Sequence, residues 1–281
     1  MKSLEHQYPV LDCCRALNVS RSGFYAWRGR TRSKRDEANV ELTVEIQSLF
    51  ARFLSCYGSP RMTRELRRRG RTCGENRVAR LMRQKGLRVV QRRCFRPQTT
   101  DSAHDHPIAP NRLAQHETVN EPNEVWVSDI TYVPTAEGWL YVAGLVDAYS
   151  RRVVGWAMSD RLDTQLPLDA LRMALEHRQP PQGLLHHSDR GCQYASEAYR
   201  NVLKRRGVQA SMSRKGNCYD NAMMESFWAT LKKELVHRYR FQTRTEAYRA
   251  IFEYIEVFYN RQRIHSSLGY QSPVDFETMS N

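Results

Sequence analysis

Residues 124–134 read EVWVSDITYVP. Val125, Val127, Thr131 and Val133 recur at every second position in a run rich in β-branched residues, the period of a strand with one face toward a core. Asp129 falls on that same face, in the middle of the run. A carboxylate in a buried strand costs several kcal/mol unless something positive compensates it. Asp129 is therefore the residue here that demands a chemical explanation.

The segments after it carry the same strand character. GWLYVAGLVDAYS (138–150) and RRVVGWAMS (151–159) are β-branched and aromatic, with turns at Gly138 and Tyr149–Ser150. The three runs predict an antiparallel meander. DTQLPLDALRMALEHR (163–178) is a helix, GLLHHSD (183–189) a short strand, and SEAYRNVLKRRG (196–207) a helix. VQASMS (208–213) is another strand, and DNAMMESFWATLKKELV (220–236) a strongly amphipathic helix. Three strands, helix, strand, helix, strand, helix is the order of an α/β, ribonuclease-H-like core: a mixed five-stranded sheet flanked by helices.

Two more acids fit that frame. Asp189 ends the strand expected to run parallel, after HHS, and Glu225 lies on the last helix with 35 residues between them. A strand-centre Asp, a strand-end Asp and a helix Glu converging at one edge repel one another, and a divalent cation relieves that repulsion. Hard oxygen ligands with few imidazoles select Mg²⁺, or Mn²⁺ as a substitute, over zinc. Two ions about 3.5–4 Å apart activate a nucleophile and steady a leaving 3′ oxygen. Lys232 stands seven residues after Glu225, about 10 Å along the same helix face. On its own it reads as a solvated lysine; beside three acids it suits a phosphate.

Charge divides the chain. The total is +14, but residues 1–100 hold 23 Lys and Arg against 8 Asp and Glu, and residues 101–281 hold 21 against 22. A polyanion partner for the first third follows, nucleic acid before lipid. That third has two helix-turn-helix-like patterns. In the first, Val10, Leu11, Cys14 and Leu17 recur at helical spacing, Asn18 stops the helix, and Ser20 caps a second one, SRSGFYAW, which Gly23 weakens. Arg21, Arg28 and Arg30 would face a duplex. The second pattern opens with a helix over 37–54, with Val40, Val44, Leu49 and Phe53 among its apolar positions. PRMTRELRRRG and ENRVARLMRQKGL follow, with Pro60 near a start and Gly70 and Gly86 at stops. Arg77, Arg80, Arg83 and Lys85 lie on or beside the last helix, within reach of phosphates or base edges. The competing reading is a helical bundle with a basic exterior.

Residues 91–120 are polar, with three prolines and three histidines, and read as a linker. His104, His106 and His116 have no cysteine at zinc spacing. The seven cysteines form no CxxC pair, so a reduced, cytoplasmic protein is expected. No apolar run approaches the roughly 20 residues a bilayer needs. The organisation is then 1–90, a basic helical DNA-binding region; 91–120, a linker; 121–240, the catalytic core; and 241–281, a C-terminal helix and tail.

WVSDITYV, HSDRGCQY and GNCYDNAMMESFWATLKKEL resemble the catalytic signatures of the DDE transposase and retroviral-integrase superfamily. SRSGFYAW, YGSPRM…RVARLMRQKGL and FYNRQRIHSSLGYQSPVDF (258–276) extend the resemblance over nearly the whole chain, toward the orfB-type transposases of the two-frame insertion sequences. The resemblance implies a metal-dependent enzyme. It cuts double-stranded DNA at element ends and joins the freed 3′-OH to a target phosphodiester, with no covalent protein intermediate and a branched or circular first product. By position Asp129, Asp189 and Glu225 match the acidic triad, and Lys232 the basic residue beyond the glutamate. It also implies a homo-oligomer on DNA, a nucleoid-associated location, and an upstream-frame partner or frameshift fusion. The family's first-frame helix-turn-helix and leucine zipper are not in this sequence. Two rivals are a DNA-binding regulator that has lost its chemistry, against which all three acids stand, and a plain nuclease.

The neighbours read as follows. His186 and His187, beside Asp189, are expected to be structural rather than ligating. Asp220, in a cluster with Asn217 and Asn221, reads as an N-cap. Arg190 and Gln193 would touch substrate phosphates. Trp126, Trp139, Trp156 and Trp228 are expected in the core. The basic tail around Arg261, Arg263 and His265 would contact DNA or close over the catalytic face.

Overall fold

A computed structural model describes residues 7–31, 33–89, 107–115, 118–214 and 221–280. His104, His106, His116, Asn217 and Asp220 lie outside the described residues, as does most of the expected linker.

The chain begins with α1 (Val10–Ala16) and α2 (Arg21–Arg28). Asn18 takes a positive φ between them, and the Ser20 side chain accepts the Gly23 N–H at 3.0 Å as the expected N-cap. Gly23 belongs there because a Cβ would stand 2.8 Å from that capping oxygen. The inner face of the pair is Cys13, Cys14 and Phe24, whereas Leu11 and Leu17 are exposed.

Next come α3 (Lys34–Arg52), α4 (Ser59–Arg68) and α5 (Glu75–Gln84), with Gly70 and Gly86 at positive φ after the last two. The expected apolar face of α3 needs correction. Leu42, Ile46, Leu49 and Phe53 form one stripe at i, i+4, i+7 and i+11, whereas Val40 and Val44 are exposed. Two residues of offset is about 200° around a helix, so both valines point away from the stripe that packs.

The sheet combines β1 (Val125–Thr135), β2 (Gly138–Asp147), β3 (Val153–Ser159), β4 (Leu185–Ser188) and β5 (Gln209–Met212), in the order β3-β2-β1-β4-β5. The first three strands form the antiparallel meander, and β4 and β5 add in parallel. This is the expected mixed sheet. One face packs on α6 (Gln165–Arg178) and α8 (Glu197–Arg205), which bury Trp126, Leu145 and Leu171. Gly155 lets the α6 backbone lie directly on β3, since a Cβ there would collide with the Ala170 carbonyl. A one-turn helix, α7 (Cys192–Ala195), follows β4; the sequence pattern showed no sign of it.

The other face packs on α9 (Ala222–Glu234) and α10 (Arg244–Glu253), whose end widens into a π-helical turn over Tyr254–Tyr259; α11 (Pro273–Ser280) ends the described chain. This second core is continuous with the helical unit. Ile46, Met62, Leu66 and Val78 belong to the same cluster as Val127, Leu231 and Ile255. Tyr57 ties the two together: its hydroxyl donates to the Gln262 carbonyl at 3.1 Å and accepts the Ile264 N–H at 2.9 Å. The described end of the expected linker lies against β5, where the Arg112 N–H reaches Ser211 Oγ at 3.0 Å.

The tail differs from expectation. Arg263 is buried and donates to Glu234, and Asn260 exchanges two hydrogen bonds with the Val153 backbone. Both serve the fold, because a buried guanidinium needs a carboxylate and an exposed loop would supply none. Arg261 is exposed. Among the tryptophans, Trp126, Trp156 and Trp228 are buried as expected, but Trp139 is 48% exposed at the β1–β2 hairpin, edge-on to Tyr132 at 4.8 Å.

Candidate active site

β1 and β4 pair in parallel only through Val125–Val127, with Val127 opposite His187. Two residues further along, Asp129 stands within β1 and Asp189 just past the end of β4. The two carboxylates therefore occupy corresponding positions just where the strands part. Asp129 is half-buried. Burial, then the Asp189 charge and more weakly that of Glu225, push its carboxyl up to about 8, against the pull of the Ile130 N–H and the Trp228 indole. The Asp189 Oδ1 accepts the Gly191 N–H at 2.9 Å, and a Cβ at Gly191 would come within 3.0 Å of both that oxygen and Gln193 Oε1. A cleft beside the two aspartates is lined by Tyr132, Tyr141, Gln193 and Tyr194. Tyr194 is buried and its hydroxyl accepts from Ser128 at 3.0 Å.

The first turn of α9 supplies Glu225, which is exposed. Among the described residues no three His, Cys, Asp or Glu side chains stand close enough to hold a metal ion. The two aspartates are neighbours, and Glu225 acts on Asp129 from further off. The donor set nonetheless fits a hard cation. It is all oxygen, and it holds two like charges, one of them driven toward its neutral form by burial and by the charge of the other. From the same helix face Lys232 places its ammonium 4.8 Å from the ring centroid of Tyr132, one of the residues that line that cleft.

The neighbouring histidines are structural, as the sequence suggested. His187 is bonded at both ring nitrogens, to Ser211 at 2.8 Å and Ser213 at 3.0 Å, and His186 Nε2 to Tyr199 Oη at 3.0 Å. Burial pushes His186 down to about 3, so it is neutral. Arg190 donates from Nε to the Ser213 carbonyl at 2.6 Å. Among the basic candidates, Arg21, Arg28, Arg80 and Arg83 are exposed, while Arg77 is half-buried and donates to Asn39 of α3 at 2.8 Å. Two residues beside Asp129, Gly144 opposite it on β2 and Trp228 on α9, carry a sequence signal of their own. Gly144 is a lone glycine in a strand pattern, a mark of close approach. Trp228 lies three residues after Glu225, hence on its face.

Comparison with known proteins agrees with this architecture. The integrase core domain family matches residues 119–218, a second integrase core family 225–280, and an HTH-like domain family 34–95. An uncharacterized 31 kDa protein of insertion element IS600 from Shigella sonnei is 49% identical over 263 residues, covering 94% of this chain and 96% of its own. The chain belongs to the orfB-type insertion-sequence transposases, in the superfamily of DDE transposases and integrases. The transposase InsF for insertion sequence IS3A from Escherichia coli K12 is 43% identical over 273 residues, covering 96% of this chain and 94% of that one. The catalytic core of HTLV-2 integrase, solved with magnesium as a trimeric form, aligns at 14% identity and a TM-score of 0.45, over 57% of this chain and 99% of that one. This transposase is thus an enzyme that cuts and joins DNA.

Proposed function

We propose that the transposase cuts the ends of its insertion element and joins the freed 3′-OH ends to target phosphodiesters at a magnesium site held by Asp129, Asp189 and Glu225. The observation that carries this reading is the pairing of Asp129 and Asp189 at the parting of two parallel strands, with Asp129 pushed up to about 8. Two such carboxylates side by side suit a divalent cation. When bound, a pair of Mg²⁺ or Mn²⁺ ions supplies Lewis acidity at the scissile phosphate.

The chain's own residues do the rest. Lys232 places a positive charge beside the acids and steadies a DNA phosphate. Gln193 presents its amide to the cleft that adjoins Asp129. Exposed Arg21 and Arg28 on α2, and Arg80 and Arg83 on α5, hold the duplex, with Arg77 and Arg190 serving through the shape of their own segments. No described helix is long and apolar enough to cross a membrane. The expected setting is the bacterial nucleoid in the cytoplasm. A homo-oligomer forms on the two element ends, and an upstream-frame protein, separate or fused, contributes end recognition.

The test is a strand-cleavage and joining assay on duplexes taken from the borders of the element. Mg²⁺ or Mn²⁺ should yield a nicked strand and then a branched product, and a chelator should abolish both. Cleavage that persists in chelator would refute the reading.

A further inference from the structure

Asp129 lies directly opposite Gly144 in the β1–β2 register, so both occupy the sheet face that packs on α9. The Trp228 ring rests on Gly144: a Cβ there would stand 2.9 Å from Cη2 and 3.2 Å from Cζ2. Only glycine leaves room for the indole to lie flat at that spot. Trp228 is 5% exposed, and its buried Nε1 makes no hydrogen bond of full geometry among the described residues. Leaving such a group unpaired costs about 1–3 kcal/mol. Glu225, Trp228 and Lys232 fall at i, i+3 and i+7 on α9, so one helix face presents an acid, an indole N–H and an ammonium to β1.

We propose that Trp228 is a positioning residue for Asp129: its indole N–H is aimed at the Asp129 carboxylate, and Gly144 is glycine so that the ring can reach it. The indole already pulls Asp129 toward its charged form. Groups that hydrogen-bond a ligating carboxylate fix its orientation, and their loss costs about 10–100-fold in metal affinity. Trp228 would thus orient one carboxylate of the site while Met224, beside it, fills the core. Trp156 provides a contrast, since its indole N–H donates to Glu256 at 2.8 Å, away from the acids. The inference rests on the magnesium reading only for its consequence, not for the pairing itself.

The experiment follows the indole N–H resonances of the full chain in ¹H–¹⁵N spectra, that of Trp228 being assigned by its loss in Trp228→Phe. Without metal, Asp129→Asn should move the Trp228 resonance and leave that of Trp156 in place. In the wild-type protein, titration with MgCl₂ should move the same resonance. Trp228→Phe, which keeps a ring, and Gly144→Ala, which displaces the indole, should each weaken Mn²⁺ binding measured by calorimetry about tenfold or more. An unmoved Trp228 resonance in Asp129→Asn overturns the proposal, and so does wild-type Mn²⁺ affinity in Trp228→Phe. A shift in Asp129→Asn with no response to MgCl₂ supports the pairing and instead counts against the metal site.

Discussion

Arg263 donates two hydrogen bonds of 2.8 Å to the two oxygens of Glu234, and both side chains are buried. Glu234 is the last residue of α9, the helix whose first turn carries Glu225. Tyr254 donates to the same carboxylate at 2.8 Å, and Arg61 of α4 lies 3.5 Å away. The helical unit, the tail and α9 therefore meet at one carboxylate. Removing one partner of such a pair strands the other's charge. Arg263→Met should cost about 3–5 kcal/mol in urea unfolding. A loss well below 1 kcal/mol would show that Arg61 and Tyr254 suffice.

The same pair sets an acid dependence. Burial alone would raise the Glu234 carboxyl, but the hydrogen bonds and charge of Arg263 outweigh it and hold the group below the usual carboxylate range. A depressed pKa contributes stability that is present above the unfolded value and lost as pH falls through the folded one. The urea midpoint of the wild type should decline through the acid range, and Glu234→Gln should flatten that decline. An unchanged slope in the variant would place the acid sensitivity elsewhere.

Asp129 predicts the opposite sign. With its carboxyl at about 8, the folded protein holds a proton that the unfolded chain has released, between the ordinary carboxylate range and that value. Ionising this group thus costs the metal-free protein stability as pH rises through the window. A divalent ion must displace the proton, so its affinity should rise by up to about tenfold per pH unit until Asp129 ionises freely. Calorimetry in two buffers of different ionisation enthalpy should find up to one proton released per site at neutral pH. In metal-free buffer near pH 8, Asp129→Asn should melt higher than the wild type. Proton-independent binding would contradict the assignment.

The strand-and-helix order was legible because each element carries its own period and punctuation. Ser20, Gly70, Gly86 and Gly138 mark ends by cap and turn chemistry that is local in sequence. The three acids stood out because a carboxylate such as Asp129 is anomalous in a β-branched run. What depends on long-range packing was not legible. Val40 and Val44 are as apolar as Leu42 and Ile46, and only the partner surface decides which stripe of α3 is covered. Arg263 read as a residue that could contact DNA or close over the catalytic face because its partner, Glu234, is 29 residues away, on α9. Trp139 matched the buried tryptophans in type but sits at a hairpin end, where Tyr132 covers only part of it.

Exposed Arg80 and Arg83 on α5 predict a purely electrostatic phenotype. Replacing both with Glu should weaken DNA binding and reduce the salt slope by about 1 for each phosphate no longer neutralised, without lowering the melting temperature. Arg77→Ala, which breaks the bond to Asn39, should instead lower stability. An unaltered salt slope in the double variant would move the duplex to another face.

The proposed site requires Asp129, Asp189 and Glu225 to act together on one phosphodiester. The direct measurement is cleavage and joining of element-end DNA in Mg²⁺ by Asp129→Asn, Asp189→Asn and Glu225→Gln, alongside duplex binding by each. All three should retain wild-type binding and give no cut or joined strand above the metal-free background. Wild-type cleavage by any one of them would contradict the account.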